Sequence, residues 1–73
     1  MSEELDTSGL KCPLPVLKAK KALRGLEAGE TLRIIATDPS TQQDFPEYCA
    51  NAGHDLVDSG ESDGAFYYLI RKA

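Results

Sequence analysis

The sequence predicts a two-layer α/β sandwich in which a four-stranded mixed sheet carries both helices on one face. Three observations lead to this prediction. The chain has 73 residues, enough for one small domain over residues 1–73. Two segments carry apolar residues at helical spacing. The other four segments resemble strands, and the six elements follow the order β-α-β-α-β-β.

The first strand and the first helix lie near the N-terminus. Leu5-Asp6-Thr7 is a short candidate strand that Ser8-Gly9 closes. A helix is predicted from Pro13 to about Leu26, because proline at the first helical position loses no hydrogen bond. This helix has an apolar stripe about 120° wide, typical of a core-facing helix; its members are Pro15, Val16, Ala19, Ala22, Leu23 and Leu26. Gly29 suits the turn that follows.

A second strand and a second helix follow. The segment 31–37 is rich in β-branched residues and is predicted to be a largely buried strand. Ser40 and Gln43 have the spacing of a capping box, which marks a helix start. One face of this helix is apolar and comprises Phe45, Tyr48, Cys49 and Ala52. Pro46 is expected to kink or restart the helix, and Gly53 to end it.

The last two strands are predicted at His54–Asp58 and Phe66–Arg71, with Gly60–Gly64 as a hairpin loop between them. Strands joined through a helix are expected to be parallel neighbours, and right-handed crossovers place both helices on one face. The last strand follows a hairpin and is therefore expected to run antiparallel to the others.

The size and composition of the chain argue against some classes of function. A domain this small can hardly leave the roughly 300–1,000 Å³ of a ligand pocket unfilled, so its chemistry is expected at the surface. The net charge of −4 argues against tight, direct nucleic-acid binding. There is no apolar run that could span a membrane and no export signal, so we expect a cytoplasmic protein with reduced cysteines.

The most distinctive feature is the segment 12–15, Cys-Pro-Leu-Pro. Cys12 is predicted at the N-cap of the first helix or beside it, where the helix dipole would lower its pKa. Gly9 and Lys11 belong to the loop before it, and Lys11 adds positive charge. Pro13 and Pro15 stiffen the helix start. The alternative is a buried, inert Cys12, which its polar flank and its position outside the apolar stripe disfavour.

The sequence gives little reason to expect chemistry at the other candidate metal ligands and nucleophiles. Cys49 lies in the apolar stripe of the second helix and is expected in the core. It is expected about 13 Å from Cys12 along the parallel helix axes, too far for the roughly 7 Å limit of a disulfide. Cys12, Cys49 and His54 are the only strong metal ligands, whereas structural zinc needs four. No metal and no cofactor are predicted.

The outer face of the first helix is a candidate partner-binding surface. We call it the basic face; it comprises Leu17, Lys20, Lys21 and Arg24. An apolar residue surrounded by positive charge suits docking of an acidic partner. A face of basic residues that is merely solvated is the alternative.

Several motifs together resemble the TusA/SirA family of sulfur carriers. They are Gly-Leu-Lys-Cys-Pro-Leu-Pro at 9–15, Asp-Pro-Ser-Thr at 38–41, Asp-Phe-Pro at 44–46, Cys49, Gly-His at 53–54 and the C-terminal Tyr-Leu-Ile-Arg-Lys at 68–72. The resemblance implies a fold similar to the C-terminal domain of translation initiation factor three. It also implies a cytoplasmic carrier that accepts persulfide sulfur on Cys12, from a cysteine desulfurase or a rhodanese-like donor, and passes it to an acceptor protein.

The resemblance leaves the pathway open. Members that serve tRNA 2-thiouridine synthesis have an acidic residue between the two prolines, where this chain has Leu14. Sulfur oxidation, molybdenum cofactor and selenium pathways are the other branches. A carrier of this kind performs half-reactions of a sulfurtransferase through a cysteine persulfide. The alternatives from other classes are an interaction or regulatory module with an incidental cysteine, and a thiol redox sensor.

Overall fold

The computed structural model describes residues 2–73, and its elements follow the predicted order. They are β1 (Ser2–Thr7), α1 (Leu14–Arg24), β2 (Thr31–Ala36), α2 (Thr41–Ala52), β3 (Asp55–Ser62) and β4 (Ala65–Arg71). The four strands form one mixed sheet, which confirms the predicted fold class. Within this part of the chain no helix is long and apolar enough to cross a membrane.

The strand order in the sheet is β1-β2-β4-β3. β1 and β2 are parallel, and β4 runs antiparallel to both β2 and β3. The expectation that β2 and β3 are neighbours is therefore wrong, although they run in the same direction. β4 lies between them because the hairpin returns it alongside β3 and its free edge pairs with β2.

The core lies between the sheet and the two helices. A single buried cluster joins α1 and α2 to the inward side chains of β2 and β4, so both helices pack on the same face. β2 was predicted to be largely buried, but only Leu32, Ile34 and Ala36 are buried, while Arg33 is exposed. This alternation arises because residues 2–73 place no second layer on the opposite face of the sheet.

The apolar stripe of α1 faces the core as predicted. Pro15, Ala19 and Leu23 are buried, and Val16 and Ala22 are partly buried. The helix begins at Leu14, with Pro13 as its N-cap, and ends at Arg24. Leu26 lies beyond the helix end but is buried all the same.

α2 differs from prediction at its start and at its proline. The capping box is wrong, because the N-cap Ser40 makes no side-chain cap hydrogen bond. Asp38 Oδ1 instead accepts from the Ser40 N–H at 3.0 Å, the bond that the Gln43 side chain would make in a capping box. α2 also continues through Pro46 without restarting. Pro46 is exposed, so the carbonyl that loses its helical donor can be hydrated.

The hairpin loop is shorter than predicted. β3 continues to Ser62 and β4 begins at Ala65, so the turn consists of Asp63 and Gly64 alone. Both residues have positive φ, 51° and 79°. An Asp-Gly pair with two positive φ angles is typical of the tight turns that match the twist of paired strands. The predicted five-residue loop is therefore wrong.

Candidate functional site

The loop that carries Cys12 lies against the loop that joins β2 to α2. β1 and β2 are parallel neighbours in which Thr7 pairs with Ala36, so both strands end at the same edge of the sheet. The carboxyl ends of parallel strands are a common position for functional sites in α/β folds. Residues 8–13 and residues 37–40 therefore leave the sheet side by side.

Two hydrogen bonds hold these loops together. The Gly9 N–H donates to Thr37 Oγ1 at 2.8 Å, and the Cys12 N–H donates to Asp38 Oδ2 at 2.6 Å. Gly9 has a φ of 79°, a conformation that side chains with a Cβ seldom adopt. The backbone of Cys12 is thus fixed by a residue 26 positions away in sequence.

Hydrogen bonds of buried residues hold the backbone of Asp38 in place. Thr41 Oγ1 donates to the Asp38 carbonyl at 2.6 Å, and because it has only one proton it must accept from the Tyr68 hydroxyl at 2.9 Å. The Tyr68 ring packs on Phe45 with centroids 4.6 Å apart. A continuous set of contacts therefore runs from the centre of the sheet to the Cys12 loop.

Cys12 is exposed and lies next to Pro13, the N-cap of α1. This is the predicted position, and the alternative of a buried Cys12 does not hold. The first turn nevertheless offers a thiolate few free donors. Pro15 has no N–H, and the Leu14 N–H donates to the Lys11 carbonyl at 2.9 Å. A helix start of this kind is a weak anion site.

The expected lowering of the Cys12 pKa is wrong. A side-chain interaction with Asp44 is the largest cause that raises the pKa of the Cys12 thiol, and desolvation and the charges of Asp44 and Asp38 add to it. The positive charge of Lys11 acts on Asp38. The pKa of Asp38 is lowered by hydrogen bonds from Ser40 and Cys12 and, to a smaller extent, by the charge of Lys11. The surroundings of the thiol are acidic, and they favour the protonated form.

Cys12 lines a surface cleft of about 280 Å³ between the start of α1 and the middle of α2. We call it the Cys12 cleft; it is lined by Cys12, Pro13, Val16, Asp44, Glu47, Tyr48 and Asn51. The four α2 residues lie at i, i+3, i+4 and i+7, so they share one face of that helix. The cleft combines apolar walls with two carboxyl groups.

The second cysteine is a core residue, as predicted. Cys49 is 3% exposed and lies in the cluster between α1, α2 and the sheet. Burial raises the pKa of its thiol. His54 is half-buried, and its Nδ1 accepts a hydrogen bond from the Ala73 N–H at 3.1 Å. In residues 2–73 no three His, Cys, Asp or Glu side chains are grouped as a metal site.

The basic face of α1 is exposed along its whole length. Leu17 is 52% exposed, and Lys20, Lys21 and Arg24 are exposed around it. A second cleft, of about 440 Å³, separates the C-terminal halves of α1 and α2, and Lys20 and Arg24 line one side of it. Tyr48 and Asn51 line both clefts, so a groove runs between the helices from Cys12 to the basic face.

Two residues of the site, Asp38 and Asp44, were not predicted from the sequence to belong to it. Asp38 was noted only within the Asp-Pro-Ser-Thr motif, and Asp44 was noted only within the Asp-Phe-Pro motif. The signal for Asp38 was its position directly after a strand parallel to β1. The signal for Asp44 was the polar stripe of Asp44, Glu47 and Asn51, which borders the apolar stripe of α2 at Tyr48.

Comparisons with known proteins agree with this geometry. The family model described as Sulfurtransferase TusA matches residues 3–72. The sulfur carrier protein TusA of Allochromatium vinosum is 46% identical over 71 residues, covering 97% of this chain and 93% of that protein. TusA of Pseudomonas entomophila is 48% identical over 68 residues, covering 93% and 85%.

A solved structure shows the same architecture. The crystal structure of a SirA-like protein from Desulfitobacterium hafniense matches with a TM-score of 0.85 and 30% identity. The match covers 94% of this chain and 95% of that one. From the family model, the relatives and the shared fold together, we conclude that the chain belongs to the TusA family.

Proposed function

We propose that this chain is a sulfur carrier that accepts persulfide sulfur on Cys12 and passes it to the cysteine of an acceptor protein. The observation that carries the proposal is the exposed Cys12 at the rigid tip of α1, in a chain of the TusA family. The donor is a cysteine desulfurase or a rhodanese-like protein, and the site of action is the cytoplasm. Gly9, Lys11, Pro13 and Pro15 support the cysteine by shaping its loop.

The transfer is a thiol exchange that needs no cofactor. The Cys12 thiolate attacks the outer sulfur of the donor persulfide, a new S–S bond forms, and the donor cysteine leaves as a thiolate. An acceptor thiolate then attacks the outer sulfur on Cys12 in the same way. The raised pKa of Cys12 lowers its thiolate fraction. Nucleophilicity rises with pKa and offsets part of that loss.

Partner binding is assigned to the groove between the helices and to the basic face. Leu17 is the apolar anchor, and Lys20, Lys21 and Arg24 attract an acidic partner surface. The groove leads from these residues to Cys12, so a partner that docks on them can place its own cysteine at the sulfur. Charge reversal at Lys20 or Arg24 is expected to slow sulfur loading by the donor.

The acidic surroundings of Cys12 argue against a peroxide sensor. Sensor cysteines react as thiolates and commonly have lowered pKa values. Here Asp44 and Asp38 raise the pKa of the thiol. A carrier that waits for a partner gains from a thiol that resists incidental oxidation.

Intact mass measurement tests the proposal. The protein is incubated with a cysteine desulfurase and cysteine, as wild type, Cys12→Ser and Cys49→Ala. We expect the wild type and Cys49→Ala to gain one reducible sulfur atom, and Cys12→Ser to gain none. Loading of Cys12→Ser, or no loading of the wild type by desulfurase and rhodanese donors alike, would contradict the proposal.

A further inference from the structure

The Cys12 cleft contains a carboxyl group that the transfer chemistry above does not use. Asp44 lies in the first turns of α2 and lines this cleft together with Cys12. Its Oδ2 is buried and has no hydrogen-bond partner within residues 2–73. A buried carboxylate oxygen without a donor is costly, so few such groups persist without a reason.

The Cys12 thiol lies in the same cleft as Asp44 and carries a proton that the carboxylate can accept. The interaction between these two side chains is the main reason that the thiol holds its proton to higher pH than an ordinary cysteine. The two residues line the same cleft, and Oδ2 remains open to a donor there because no hydrogen bond satisfies it within residues 2–73. A Cys12 thiolate would instead place two negative groups in one cleft.

The other charged groups around the sulfur do not reverse this balance. Asp38 lies behind the Cys12 backbone, and Glu47 lines the cleft one turn along α2. Lys11 is the cation in the Cys12 loop, and its charge acts on Asp38. Tyr48 also lines the cleft, and burial raises the pKa of its hydroxyl. Carboxyl groups therefore dominate the field at the sulfur.

We propose that Asp44 is a positioning residue that holds a proton on Cys12, first on the thiol of the empty carrier and then on the outer sulfur of the loaded one. This inference rests on the proposed function. The added sulfur lies about 2 Å beyond Sγ, within the reach of the same cleft. There the Asp44 carboxylate accepts a hydrogen bond from the S–S–H group.

The proton matters because only the neutral persulfide is a good target for an anionic acceptor. The acceptor thiolate attacks the outer sulfur, a new S–S bond forms, and the bond from that sulfur to Cys12 Sγ breaks. The electron pair goes to Sγ, which takes a proton from water and becomes a thiol beside Asp44 again. The outer sulfur keeps its hydrogen and leaves as the acceptor persulfide. No net oxidation or reduction takes place.

The first test needs no sulfur donor. The rate of Cys12 alkylation by iodoacetamide is measured against pH for Asp44→Asn and for Glu47→Gln, each in a Cys49→Ala background. Glu47→Gln is the matched control, since it removes a charge from the same cleft. We expect Asp44→Asn to move the midpoint to lower pH and to raise the rate at neutral pH. The gain is roughly threefold for each pH unit of that movement. Glu47→Gln keeps the parent midpoint.

The second test uses the loaded carrier. Cyanide attacks the outer sulfur of a persulfide and releases it as thiocyanate. We expect thiocyanate release from Asp44→Asn to decline at a lower pH than release from the wild type. An unchanged alkylation midpoint in Asp44→Asn, an equal movement in Glu47→Gln, or identical release profiles would each overturn the inference. If no protein loads sulfur, the proposed function fails while the alkylation profiles still decide the role of Asp44.

Discussion

The two cysteines of this chain have raised thiol pKa values for different reasons. At Cys49 the first cause is burial in the core, whereas at Cys12 it is the side-chain interaction with Asp44. Cys49 is 3% exposed, and Cys12 is exposed at the start of α1. One thiol is withdrawn from solvent, and the other is accessible but held protonated. Access and local charge together therefore distinguish the two thiols, and the direction of the pKa shift alone would not separate them.

The largest expected difference between the two thiols is their rate of modification. In the native protein at pH 8, iodoacetamide is expected to label Cys12 at least about a thousandfold faster than Cys49. A buried thiol reacts mainly from open states, which small domains populate at about one part in a thousand or less. Peptide mass mapping during the reaction measures both rates. Labelling of both cysteines at similar rates would remove the basis of the comparison.

A second comparison applies one chemical change at both positions. Cys49→Ser is expected to lower the free energy of unfolding by about 1–3 kcal/mol, because it buries a hydroxyl group in an apolar cluster. Cys12→Ser is expected to leave that free energy unchanged, since the side chain is exposed. Urea denaturation measures both values, and Cys49→Ala separates the hydroxyl cost from the loss of sulfur packing. Equal losses at the two positions would show that Cys12 has a structural role.

The smallest expected effect concerns Asp38, which holds the Cys12 loop by accepting a hydrogen bond from the Cys12 N–H. Its pKa is lowered in the folded protein by hydrogen bonds from Ser40 and Cys12. Its contribution to stability is therefore fully present above the ordinary aspartate pKa of about 3.9, and it is lost as pH falls through the lowered value. Asp38→Asn is expected to have a lower melting temperature than the wild type at pH 7.

The difference between the two melting temperatures is expected to shrink as the pH is lowered toward 2. Asp6 and Glu30 also have lowered pKa values, but both proteins retain them, so their effects cancel in the comparison. Thermal unfolding followed by circular dichroism measures the difference. A constant gap across this pH range would mean that the Asp38 charge does not stabilise the Cys12 loop.

Much of the fold could be predicted from the sequence because it depends on residues that are close together in the chain. The stripe of α1 follows from helical spacing, and Gly53 ends α2 in the left-handed conformation that glycine favours. The wrong predictions concern features that depend on residues distant in sequence. The predicted neighbours β2 and β3 were separated by β4, and the expected lowering of the Cys12 pKa was reversed by Asp44.

The local pattern of residues 9–15 by itself predicted that Cys12 lies at the start of α1, because prolines suit the first turn of a helix and glycine suits the loop before it. The electrostatic state of that cysteine was decided only by tertiary structure. Asp38 and Asp44 are 26 and 32 positions away from Cys12 in sequence. The parallel pairing of β1 and β2 and the packing of α2 beside α1 bring their carboxyl groups to the sulfur. Charge acts through space, so its effect on the thiol could not be deduced from neighbours along the chain.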